Sequence, residues 1–138
     1  MLVRWWNITR RGVEQNPNFI FVFGGNLRGI TRGPHFKNVV YVPTKYMDGE
    51  AGAAFFSDRD YEHIIPTWEL YFARLSQNLR AGKTMVMPQG GIGTGRSQLK
   101  TRAPRLFHML QHKITILDGI NRQLLAEASA NRPAYAPS

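Results

Sequence analysis

The sequence predicts an α/β fold from three observations: short apolar runs of strand length, two longer stretches with apolar residues at helical spacing, and glycine-bearing segments directly after the apolar runs. Leu2 to Trp6 reads as a strand. So does Phe19 to Phe23, whose continuous run FIFVF suits a strand buried on both faces of a sheet. Asn16-Pro17-Asn18 is the turn that feeds it, and Gly24-Gly25-Asn26 ends it. From there to Gly33-Pro34 the chain reads as a loop able to bring main chain close to a ligand. Val39 to Val42 is a third strand, stopped by Pro43, with Thr44-Lys45 at its carboxyl end.

Tyr46 to Ala54 has the Gly, Ala and acidic content of a surface loop. Ser57 and Asp58 are candidate helix caps, and Asp58, Asp60 and Glu62 suit the positive end of a helix starting there. Pro66 is expected to break or restart that helix. Beyond it Trp68, Tyr71, Phe72, Leu75 and Leu79 fall on one helical face, and Gly82 is a C-terminal stop. Thr84 to Met87 is a short buried strand opening into Gln89 to Arg96, with four glycines between positions 90 and 95. A helix should follow, with Thr101 as its cap, Pro104 in its first turn and Leu106, Phe107, Leu110, Ile114 and Leu117 as its buried stripe. Lys113 to Leu117, KITIL, fits a final strand as well as a helix, and both readings stay open. Asp118-Gly119 is expected to end the segment either way. The organisation is one domain over residues 1–118 and a C-terminal extension over 119–138, partly flexible, Ala, Ser and Pro rich from about Ala126.

Composition narrows the class. In 138 residues, 43% hydrophobic and 20% charged content supplies a core and argues against intrinsic disorder. The absence of cysteine excludes disulfides, a thiolate nucleophile and cysteine-ligated metal. No apolar run approaches the roughly 20 residues needed to span a bilayer, and MLVRWWNITRR lacks the features of a signal peptide. A cytoplasmic protein without membrane attachment is the expectation. The net charge of +9 predicts attraction to polyanions, nucleotides or acidic protein surfaces. Between Leu70 and Leu117 there are eight Lys and Arg residues and no carboxylate, so a basic face is expected there, opposite a smaller acidic one at Asp48 to Glu69.

Two segments carry the chemistry. In TMVMPQGGIGTGR, successive amides of Gly90, Gly91, Gly93 and Gly95 at a strand's carboxyl end can curl around a phosphate, and the helix after them adds its positive end. The glycine spacing matches neither the P-loop nor the dinucleotide fingerprint. In FIFVFGGNLRGITRG a second buried strand opens into a loop with Asn26, Arg28 and Arg32. Ligands of open α/β sheets bind outside the carboxyl ends of the strands, so both loops should face one crevice. Taken alone, Asn26 is better read as a turn residue and the two arginines as solvated. His108 and His112 are spaced i, i+4, but Met109 stands where a zinc protease helix has glutamate, and no metal site is expected.

The order VFGGN, VYVPTK and MPQGGIGTG, followed by a helix with an Ala-Pro, resembles a phage-associated family of small proteins. That family in turn resembles the macro domain, and particularly its terminal ADP-ribose protein glycohydrolase branch. The resemblance covers roughly Phe19 to Leu110. It implies a reduced, macro-domain-like three-layer α/β/α sandwich with a central mixed sheet. It also implies ADP-ribose held by Gln89, Gly90, Gly91, Ile92, Gly93, Thr94, Gly95 and Arg96 on one side, and by Gly24, Gly25, Asn26, Arg28, Arg32 and Thr44 on the other. In the glycohydrolase a strand-end lysine attacks the sugar carbon and an aspartate beyond the glycine loop assists. Lys45 matches the lysine, and Ser97 falls where the aspartate stands, so no carboxylate is supplied there for acid/base work.

Two readings of function follow. In the first, the protein binds an ADP-ribose-like nucleotide or related diphosphate between the glycine loops, with hydrolysis of an ADP-ribosyl linkage through Lys45 left open and no cofactor needed. In the second, it is a non-enzymatic phage protein of the host cytoplasm whose basic face docks on nucleic acid or an acidic host protein.

Overall fold

The computed structural model describes residues 1–28 and 36–131. Four strands, β1 (Leu2–Trp5), β2 (Ile20–Asn26), β3 (Val39–Lys45) and β4 (Met85–Pro88), form one sheet in the order β1-β4-β2-β3. All three pairings are parallel. The central sheet is therefore parallel, where the resemblance implied a mixed one. Parallel neighbours need crossovers, and helices lie in the connections from β1 to β2 and from β3 to β4. A short α1 (Arg10–Gln15) lies between β1 and β2, and α2 (Tyr61–Arg80) lies between β3 and β4. α3 (Leu99–Arg102) and α4 (Pro104–Ala130) follow β4.

Alternation along the strands sorts the core into two layers. Leu2, Val22, Val42, Met85 and Met87 point to one face, where Trp68, Phe72, Leu75 and Leu79 of α2 and Leu106, Leu110, Ile114 and Leu117 of α4 cover them. Phe21 and Val86 point to the other, with Val3, Trp5, Phe23 and Val39, under the thinner cover of Val13 from α1 and of Ile8 and Phe36. β2 lies inside the sheet with Phe21 and Val22 fully buried, as the FIFVF run predicts.

Several boundaries differ from the sequence expectation for identifiable reasons. α1 is too short to show a helical period; Thr9 caps it by accepting the Gly12 amide at 3.0 Å. Pro66 neither breaks nor restarts α2, which runs unbroken from Tyr61 to Arg80 around it. Thr101 lies within α3, and Pro104 opens α4 at its first position, where its missing N–H costs nothing. Lys113 to Leu117 is helix, and Asp118-Gly119 does not end it. Tertiary contacts hold the helix through that point: Arg4 reaches Asp118 with two bonds of 3.0 and 3.1 Å, and the Asn121 side chain accepts the Leu2 amide at 2.8 Å. Ile120 and Leu124 still pack on the core.

Candidate ligand-binding site

Parallel pairing brings the carboxyl ends of β2, β3 and β4 to one edge of the sheet, and the site is built there. The register of β2 on β3 runs evenly to Gly25 opposite Pro43 and then slips, so that Asn26 faces Lys45 and Thr44 is the extra residue of a bulge. The buried Thr44 hydroxyl donates to the Gly25 carbonyl at 3.2 Å, which closes the bulge. Trp68 of α2 anchors the same corner by donating its indole N–H to the Pro43 carbonyl at 2.7 Å.

The segment after β4 folds over this edge. Gly93 takes a φ of 78°, a conformation that L side chains rarely adopt, and a Cβ there would stand 2.7 Å from a Leu110 methyl. Glycine is required at this point for the loop to descend onto α4. Thr94 donates its hydroxyl to the Gly90 carbonyl at 2.9 Å, and Gln111 of α4 donates to the Ile92 carbonyl at 3.4 Å. A Cβ at Gly24 would lie 3.8 Å from the Gly93 amide nitrogen, so the two glycine segments meet.

Between them opens a crevice of about 460 Å³. Gly24, Gly25, Asn26, Thr44 and Lys45 line one side, and Gly91 through Arg96 the other. Tyr41, Asp48, Pro88 and Ser97 complete it. Of the remaining candidates, Arg28, Gln89 and Gly90 are exposed and stand outside the lining, and Arg32 lies outside the described residues. Ser97 is buried to 6% exposure, and its hydroxyl has no hydrogen-bond partner among the described residues. A buried hydroxyl left so costs on the order of 1–3 kcal/mol. Tyr41 was missed because its ring reads as one more apolar residue of VVYV. Its place opposite Phe23 in the register, beside glycine-flanked Gly25, is the signal that finds it.

Lys45 sits at the mouth. Its ammonium donates to the Gly49 carbonyl at 2.7 Å and lies 4.5 Å from the centre of the Phe55 ring, while Arg102 lies 3.9 Å from that ring centre. The segment after β3 is folded back to allow these contacts: Tyr46 donates its amide to the Ala54 carbonyl at 2.9 Å, and the Tyr46 hydroxyl donates to Asp60 at 2.5 Å. Burial, then the bond to Asp60 and its charge, push the Tyr46 hydroxyl up to about 12. Burial acts upward on the Asp60 carboxyl too, but bonds from Tyr46 and Ser57, with Arg59 nearby, outweigh it and hold the group below its ordinary value.

The helix after the glycine loop is not aimed at the crevice in the expected way. The first free amide of α4, on Arg105, donates to the Asp58 carboxylate at 3.0 Å. That bond ties the start of α4 to the turn before α2. The groups that the crevice offers to an anion are therefore loop amides and the side chains of Lys45 and Arg96. Among the described residues no group of three or more His, Asp or Glu is placed to hold a metal, and no helix is long and apolar enough to cross a membrane.

Fold and site together define an α/β domain with a glycine-walled, polar crevice at the carboxyl edge of a parallel sheet. The chain belongs to a family of unknown function, DUF7831, whose model matches residues 4–113. That span takes in β2, β3 and β4, the second half of β1 and every residue lining the crevice. No curated protein and no solved structure matches the chain.

Proposed function

We propose that the protein binds an ADP-ribose-like nucleotide or a related diphosphate in the crevice between Gly24–Asn26 and Gly91–Ser97. The observation that carries the reading is the meeting of two glycine segments around one hollow that also holds a buried hydroxyl, Ser97, without a partner among the described residues. Main-chain amides at such close approach are donors for phosphate oxygens, and Arg96 and Lys45 add charge at the mouth. The macro-domain-like layering is part of the same proposal, resting on motif order and on helices over both sheet faces.

Binding is favoured over hydrolysis. Asp48 at the rim is the sole carboxylate among the described lining residues, Ser97 cannot act as a general base at neutral pH, and the Lys45 Nζ is tied to the Gly49 carbonyl and the Phe55 ring. If the reading holds, ADP-ribose raises the melting temperature with the logarithm of its concentration, because only the folded chain binds. No shift at millimolar ADP-ribose would remove the nucleotide from the crevice.

A second reading has one observation in its favour: Arg96 of the crevice lining and Lys100, Arg102 and Arg105 after it in the chain are all exposed. Docking of a nucleic-acid backbone on them would weaken steeply with salt, whereas a pocketed nucleotide responds less.

A further inference from the structure

A deeper feature of the same crevice, which rests on the nucleotide reading, is its single aromatic wall. Tyr41 is the one aromatic residue among the described lining residues, and it is half-buried. Two neighbours fix its ring. Phe23, its register partner across β2 and β3, stacks on it with ring centres 5.9 Å apart and planes 30° from parallel. Gly25 leaves room for its close approach, since a Cβ there would fall 2.7 Å from Tyr41 Cβ and 3.3 Å from its ring. Any side chain at position 25 would displace the ring.

An aromatic face contributes nothing to phosphate, because the negative charge of its π cloud opposes an anion. It does contribute to a planar heterocycle, which stacks on it whatever its hydrogen-bonding edge. We infer that Tyr41 is the stacking surface for the base of a bound nucleotide, so that the crevice selects base-bearing diphosphates over bare ones, with the phosphates against Gly91 to Gly95. Trp6 is the other candidate platform, being 88% exposed, but it is not part of the crevice lining.

The test is calorimetric titration of ADP and of inorganic pyrophosphate into the wild type, Tyr41→Phe, Tyr41→Leu and Trp6→Ala. Tyr41→Leu should weaken ADP by about 5- to 150-fold, the range for one base on one ring, and leave pyrophosphate unchanged. Tyr41→Phe keeps the ring and should keep the preference for ADP, which also guards against a leucine variant that folds poorly. Equal weakening of both ligands by Tyr41→Leu, no effect on either, or a base-specific loss in Trp6→Ala would each overturn the assignment to Tyr41. A wild-type protein that binds neither ligand would instead overturn the nucleotide reading beneath it, and the two failures are told apart by the wild-type titration alone.

Discussion

Gly93 and Gly95 sit two residues apart in the same loop and do different things. Gly93 is needed by the fold: its positive φ and the Leu110 and Leu99 methyls at 2.7 and 3.2 Å from an added Cβ exclude a side chain. Gly95 has no positive φ, and an added Cβ would meet nothing within 4 Å, so the protein's own packing does not explain it. It lines the crevice, where a bare main chain admits a ligand closely. Gly93→Ala should therefore lower stability by about 1–3 kcal/mol, read by denaturant unfolding. Gly95→Ala should unfold like the wild type yet bind ADP-ribose more weakly. Equal stability losses in the two variants would contradict this division of roles. The sequence alone displays four glycines in a row of eight residues and does not separate these duties, because φ and the neighbours across the fold decide them.

At the scale of elements, long amphipathic and continuous apolar stretches were legible, and short or tertiary-stabilised ones were not. The buried faces of α2 and α4 follow from spacing that begins at Trp68 and Leu106. The extension of α4 beyond Gly119 depends on Arg4 and Leu2, more than a hundred residues away, and no local signal announces it. The junction of β3 with α2 is similar, since it hangs on the Tyr46–Asp60 bond and on Ser57 donating its amide to Asp60 at 2.7 Å. Tyr46→Phe should cost about 1 kcal/mol near neutral pH, kept modest because both side chains are only partly buried. The sign with pH follows from the two shifts. Asp60 lies below its unfolded value, so its share is present above roughly pH 4 and is lost as pH falls through the folded value. Tyr46 is raised to about 12, so its share is present below its unfolded value near 10 and is lost as pH rises through 12. The stability gap between wild type and Tyr46→Phe, measured by urea unfolding, should thus be widest between those limits and shrink outside them. A gap that grows on acidification would contradict the pairing.

For the whole molecule, the α/β class and the meeting of the two glycine segments were readable because strand ends in such sheets share an edge. The evenness of the basic half was not. Asp58 accepts the first free amide of α4, so a carboxylate distant in sequence interrupts the positive surface in space. The whole account turns on a crevice whose glycine main chain a diphosphate can approach closely. The direct measurement is the amide NMR spectrum during titration with ADP-ribose. The account predicts that the amide signals of Gly24, Gly25, Gly93 and Gly95 move together and saturably, while those of Gly82 and Gly119, which lie outside the crevice lining, stay in place. Signals that remain fixed at the four crevice glycines, or shifts confined to residues around Lys100, Arg102 and Arg105, would contradict it.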